Sequence, residues 1–219
     1  MTAASGAGRD DDRPAPVPAL RDVERHWPVS GRPRRQKGAF VVLRTDRVRM
    51  PDGGVARDVV EHPGAVAIVA LDEAGQVLLI RQYRHPVGRL LWEIPAGLRD
   101  VPGEPALDTG ERELREETGY AARTWHVLTD CYTSPGISTE RVTVFLARDL
   151  AEVPDPQRGP PLRHEEALLQ RAWVPLDRAV QLFLAGELHN GVTAVGILAA
   201  YAARHGGFAK LREAGAGER

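Results

Sequence analysis

The chain has 219 residues, with 29 basic and 30 acidic side chains and a formal charge of −1. That length suits one domain with a sizeable core, and the balanced charge gives no electrostatic case for a nucleic-acid or membrane-surface partner. The single cysteine, Cys131, excludes an internal disulfide and reads as a small core residue, and no apolar run approaches the ~18 residues that span a bilayer. MTAASGAGRDDDRPAPVP at the N-terminus lacks the apolar stretch of a secretory signal, so the expected location is the cytoplasm.

Residues 1–37 are expected to be a flexible segment, rich in Pro, Ala, Gly and Asp over its first part. GAFVVLRTDRVRM (38–50) alternates apolar and polar residues, PDGG (51–54) turns, and VARDVVEH (55–62) returns, which predicts a small N-terminal hairpin lobe over 38–62. The main domain is expected over 63–205. It opens with GAVAIVAL (64–71), a continuous β-branched run that predicts a strand buried on both faces. DEAG turns it, QVLLIRQYR (76–84) follows as its expected hairpin partner, and LLWEIPAG (90–97) is a third strand. Trp92 in that strand reads as core.

The run from Pro105 to Thr118 predicts a helix. Proline suits the first turn, Gly119 suits the left-handed position past the end, and Leu107, Leu114 and Thr118 form the buried stripe. Glu113, Glu116 and Glu117 crowd its last turns at i, i+3 and i, i+4 spacings. The negative end of the helix dipole and the mutual repulsion together cost on the order of 1–2 kcal/mol. Arg112, correctly spaced to pair with Glu116, offsets part of this; a divalent cation, which favours carboxylate oxygens, would offset the rest. These residues alone also fit an ordinary solvated face.

TWHVLTDCYT (124–133) and ERVTVFLAR (140–148) are strand-like, VPDPQRGPPLRHEEA (153–167) is a long loop, and LQRAWV (169–174) is a last strand. PLDRAVQLFLAGELH (175–189) and GVTAVGILAAYAARH (191–205) predict two final helices, followed by a flexible tail over 206–219. Strands interleaved with helices, with buried sheet faces, make an α/β/α sandwich with a mixed sheet the best fit.

The segment GLRDVPGEPALDTGERELREETGY, Gly97 to Tyr120, resembles the signature of the Nudix hydrolases. Its second half, Arg112 to Tyr120, matches throughout, and Glu104 stands at the expected distance before Arg112. The first half carries one extra residue between Gly97 and Glu104, where a loop accepts it cheaply. The resemblance implies a Nudix-type fold and metal-dependent hydrolysis of a nucleoside diphosphate linked to another group. It makes Glu113, Glu116 and Glu117, with the backbone carbonyl of Ala96, the expected metal ligands, Arg112 the residue that orients the glutamates, and Mg²⁺ the expected ion, with Mn²⁺ as a substitute. Such ions neutralise a pyrophosphate, activate a water and stabilise the leaving oxygen.

VVEHPGAVAIVAL, QYRHPVGRLLWEIPAGL and SPGISTE are similar to segments of ADP-ribose pyrophosphatases, actinobacterial ones in particular, over about residues 38–205. There a proline some fifteen residues past the motif's last glycine marks ADP-ribose preference, and Pro135 lies sixteen past Gly119. The resemblance implies a general base on the long loop (Glu166, with Glu165 as the alternative), Arg84 on a phosphate and Glu140 on the terminal ribose. It also implies Arg57 reaching a phosphate from a second subunit of a homodimer that exchanges N-terminal lobes. His62, His85 and His164 lack ligand spacing and take no metal role. Two other readings stay open: a pyrophosphatase for another nucleoside diphosphate sugar, and a Nudix-fold ligand-binding regulator. Intact glutamates and the absence of a basic DNA-binding extension count against the latter.

Overall fold

The computed structural model describes residues 20–159 and 168–215. Three strands come first: β1 (Val29–Lys37), β2 (Val42–Met50) and β3 (Gly53–Glu61) form an antiparallel sheet in the order β1-β2-β3. The lobe therefore has three strands where the sequence pattern gave a hairpin. β1 lies inside the segment expected to be flexible. Its composition of glycine, proline and arginine hides it; its order comes from pairing with β2, from Lys37 opposite Val42 to Val29 opposite Val48, with a register shift between Ser30 and Arg34.

The main domain is built around β4 (Ala65–Ala70), whose residues Val66 to Ala70 are all fully buried. β5 (Gln76–Arg84), β6 (Arg89–Glu93) and β7 (Ala96–Leu98) follow, then α1 (Ala106–Thr118), β8 (Tyr120–Tyr132), β9 (Arg141–Glu152), β10 (Gln170–Pro175), α2 (Leu176–Leu184), α3 (Gly191–Arg204) and β11 (Arg212–Glu213). One sheet has the order β11-β8-β9-β4-β7, with β4 parallel to β9 and its other pairs antiparallel; a second has the order β10-β5-β6.

Burial on both faces of β4 creates two cores. Val66, Ile68 and Ala70 pack with Leu78, Phe145 and Leu114 on the side of α1. Ala67 and Val69 pack with Val144, Leu146, Leu176 and Ile197 on the side of α2 and α3. Alternate residues of one strand thus serve opposite layers, which is the α/β/α sandwich expected from the continuous apolar run. Each buried Val, Leu, Ile or Phe side chain among them contributes roughly 1.5–3 kcal/mol relative to exposure.

β4 and β5 are not hairpin partners in one sheet. The turn after Leu71 carries the chain across, with only a bridge between Leu71 and Val77, and β5 pairs with β10 and β6. Pro95 likewise splits LLWEIPAG into β6 and β7, which belong to different sheets. The tail is also more ordered than expected as far as Gly215: Arg212 and Glu213 pair with Val127 and His126 of β8, and the Arg212 guanidinium donates to Asp130 at 2.6 Å. Trp92 is half-buried against the larger core, with Arg81 over its ring at 5.4 Å. Cys131 is half-buried, and burial first, then Asp130 and Glu140, pushes its thiol pKa up, as suits a structural cysteine. Among the described residues no helix is long and apolar enough to cross a membrane.

Candidate active site

Helix α1 runs as its sequence dictates, from Pro105 at the N-cap to Gly119 at φ 75°, whose N–H closes on the Arg115 carbonyl. Its buried stripe is Ala106, Thr109, Gly110, Leu114 and Thr118, and Glu117 joins it with only 4% exposure. Strand β7 runs past this helix. The Ala96 N–H donates to the Glu117 carboxylate at 3.0 Å. Beside it, Gly97 lies so close to Glu113 that a Cβ there would come within 2.1 Å of the Glu113 Cδ. Glycine at 97 is a requirement of that approach.

Arg112 organises the rest. Its guanidinium donates to Glu104 at 3.2 and 3.1 Å and to Glu113 at 2.6 Å, and lies 3.6 Å from Glu116. Thr109 donates to Glu104 at 2.8 Å. The hydrogen bond to Arg112, opposed by burial and helped by Thr109, holds the Glu104 carboxyl below its usual range, and the same hydrogen bond raises the Arg112 pKa. Ala96, Arg112, Glu113, Glu116 and Glu117 therefore meet in one place, with Glu104 bracing the arginine from the loop.

The strain expected at the helix end is relieved by cations remote in sequence. Arg171 of β10 donates to the Thr118 carbonyl at 2.5 Å. Arg158, paired with Asp155 at 2.7 Å and donating to Val153 O at 2.8 Å, covers Gly119. Gly159, at φ +114°, lies against Glu116, where a Cβ would stand 2.9 Å from the Glu116 Cγ. Sequence reading missed Arg158, Gly159 and Arg171, because nothing local marks contacts between residues so far apart in the chain.

The remaining predicted residues lie on other elements. Arg84 at the end of β5 grips Glu93. Glu140 accepts from Thr133 and faces His62 at 3.6 Å, beside a loop whose backbone bonds β3 at Val60. Arg57 is exposed on β3 and donates to the Ala56 carbonyl. His85 meets the Tyr83 hydroxyl at 3.3 Å. Glu165, Glu166 and His164 fall outside the described residues.

The donor set suits a hard divalent cation: three carboxylates beside the backbone of Ala96 and Gly97, which Gly97 keeps open to them. Among the described residues no three acidic, histidine or cysteine side chains converge tightly enough to enclose an ion unaided. Arg112 and the Ala96 N–H hold these carboxylates instead, so a metal would share or displace those contacts.

The model of the NUDIX domain matches residues 61–194, which contain every element of this site. The chain belongs to the Nudix family. Two curated Nudix relatives bear the name ADP-ribose pyrophosphatase. That of Mycobacterium tuberculosis is 51% identical over 176 residues, covering 80% of this chain and 83% of the relative, and that of Bacillus subtilis is 36% identical over 161 residues, covering 73% and 84%. A solved structure described as an ADP compounds hydrolase has the same fold, with a TM-score of 0.65 at 19% identity, covering 81% of this chain and 96% of that one. Divalent-metal dependence goes with Nudix enzymes of this kind.

Proposed function

We propose that the protein hydrolyses the pyrophosphate bond of ADP-ribose, giving AMP and ribose 5-phosphate. The observation that carries this reading is the 51% identity to a named ADP-ribose pyrophosphatase over four-fifths of both chains, with the glutamate cluster of α1 intact. Glu113, Glu116, Glu117 and the Ala96 carbonyl would hold Mg²⁺, or Mn²⁺ in its place. Bound cations supply charge neutralisation at the diphosphate and polarisation of the attacking water. Arg112 keeps the carboxylates in register, Arg84 binds a phosphate, and Glu140 receives the terminal ribose. Glu166 takes the proton of the attacking water, with Glu165 the alternative. Arg57 is exposed on a lobe whose strands pair mainly with one another, which suits a phosphate contact contributed from the partner subunit of a homodimer. The protein acts in the cytoplasm.

AMP release from ADP-ribose, ADP-glucose, GDP-mannose and NADH, each with Mg²⁺ and with EDTA, tests the reading. A strong, EDTA-sensitive preference for ADP-ribose is expected. Preference for another diphosphate keeps the metal helix and overturns the substrate; binding of ADP-ribose without turnover favours a regulator. Glu166→Gln should lower turnover with ADP-ribose still bound; if Glu165→Gln carries the loss instead, the base stands one residue earlier.

A further inference from the structure

Glu93 has no role in the function proposed above, and its position is unusual. It is a carboxylate at the end of a strand otherwise apolar in LLWEIP, and it is 2% exposed. A buried carboxylate without good partners is costly, so its contacts carry information. Three of them come from Arg84: Nε donates at 3.0 and 3.1 Å to the two carboxylate oxygens, and Nη2 donates at 2.6 Å. Gln82 Nε2 adds a longer contact at 3.5 Å. Such a forked, charge-assisted pair fixes the plane of a guanidinium, where a single contact would fix only its position. Arg84 itself is 42% exposed at its side chain, so one end of the pair faces solvent and the other is sealed in the protein.

The backbone of Glu93 is equally constrained. The next residue, Ile94, donates its N–H to the Thr193 hydroxyl of α3 at 3.1 Å, and the Pro95 carbonyl accepts from Ile68 of β4 at 2.8 Å. Ala96 follows at once, with its N–H on Glu117. Four consecutive residues therefore join Arg84 to the glutamate helix, through a segment tied to both the central strand and α3.

We infer that Glu93 is a positioning residue for substrate binding: it holds the Arg84 guanidinium at a fixed orientation and distance from the carboxylate cluster. It touches neither substrate nor metal. The inference rests on the reading of Arg84 as a phosphate ligand.

Steady-state kinetics on ADP-ribose with Glu93→Gln, Arg84→Ala and the double variant test it. Loss of one charge-assisted contact should raise KM roughly tenfold in Glu93→Gln, with the Mg²⁺ concentration for half-maximal activity unchanged. In the Arg84→Ala background the same substitution should add almost nothing, since the residue it positions is gone. A full effect of Glu93→Gln in that background overturns the inference. So does an unchanged KM in Glu93→Gln when Arg84→Ala raises it. An unchanged KM in Arg84→Ala overturns the phosphate reading, and the inference with it. Should Glu93→Gln not fold, Arg84→Lys replaces it: a cation remains but the fork is lost, and KM should rise close to that of Arg84→Ala. Wild-type KM in Arg84→Lys overturns the inference, because charge without orientation would then suffice.

Discussion

Glu117 is the most enclosed of the three motif glutamates, and its carboxylate receives the Ala96 N–H. Glutamine keeps that acceptor and the side-chain volume but removes the charge. Glu117→Gln should therefore fold normally, with a thermal midpoint within a few degrees of wild type, while turnover at saturating Mg²⁺ falls roughly a hundredfold or more. Wild-type turnover would remove Glu117 from the metal ligands. Glu104 makes the complementary case, where charge serves structure. Its folded-state pKa lies below the ordinary 4.5, chiefly through Arg112. A depressed carboxylate contributes stability that is fully present above its unfolded pKa and is lost as pH falls through the folded one. The unfolding midpoint should drop on acidification below about pH 4.5, and drop less steeply in Glu104→Gln. An equal slope in the variant would assign the acid sensitivity elsewhere. Asp130 is the next candidate: burial pushes its carboxyl up, and Arg212, Thr143 and Arg141 outweigh that to hold it low. At this scale the sequence was informative about the glutamates, because helical spacing and a charge cluster are local. It was silent about Arg171 and Arg158, because no periodicity links a helix end to a strand 53 residues later or to the connection that precedes that strand.

At the scale of elements, legibility depended on what the pattern encodes. The unbroken apolar run of β4 pointed to burial on both faces, and its shortness and β-branched residues marked it as a strand rather than a buried helix. It could not reveal the neighbours of β4. Proximity suggested β5, yet β9 and β7 hold those places, because pairing is decided by register over long separations. β1 was hidden for a related reason: a strand made of arginine, glycine and proline has no apolar alternation, and only its partner reveals it. The connection from β9 towards β10 carries a prediction of its own. Gly159 has a left-handed backbone and abuts Glu116, so a methyl group there both strains the chain and displaces the carboxylate. Gly159→Ala should raise the Mg²⁺ requirement for activity several-fold and lower stability by about 1 kcal/mol or more, read as a lower thermal midpoint. Gly191→Ala, at the open first position of α3, should change neither. An unchanged Mg²⁺ titration in Gly159→Ala would show that the segment leaves Glu116 undisturbed.

At the scale of the molecule, the proposed homodimer centres on the N-terminal lobe. Its three strands pair chiefly with one another, and its link to the domain runs through Val60, bonded to Ile137 and Thr139 in the loop that bears Pro135 and Glu140. Phe40 and Leu43 remain exposed on it, and Asp46 is 7% exposed beside Arg44. A homodimer that exchanges lobes would cover such a surface and carry Arg57 of one subunit to the glutamates of the other. Symmetry then gives a test by complementation. Arg57→Ala and Glu117→Gln should each be impaired as homodimers. Unfolding and refolding the two together forms heterodimers in which one site combines an intact Glu117 with an intact Arg57 from the opposite subunit, and activity should reappear. The second site in each heterodimer carries both substitutions and stays inactive. If Arg57 instead served its own subunit, every site in the mixture would carry one lesion or the other, and refolding together would recover nothing beyond the sum of the separate variants. Light scattering on the refolded mixture ties the result to dimers, since recovery by a monomeric sample would contradict the exchange.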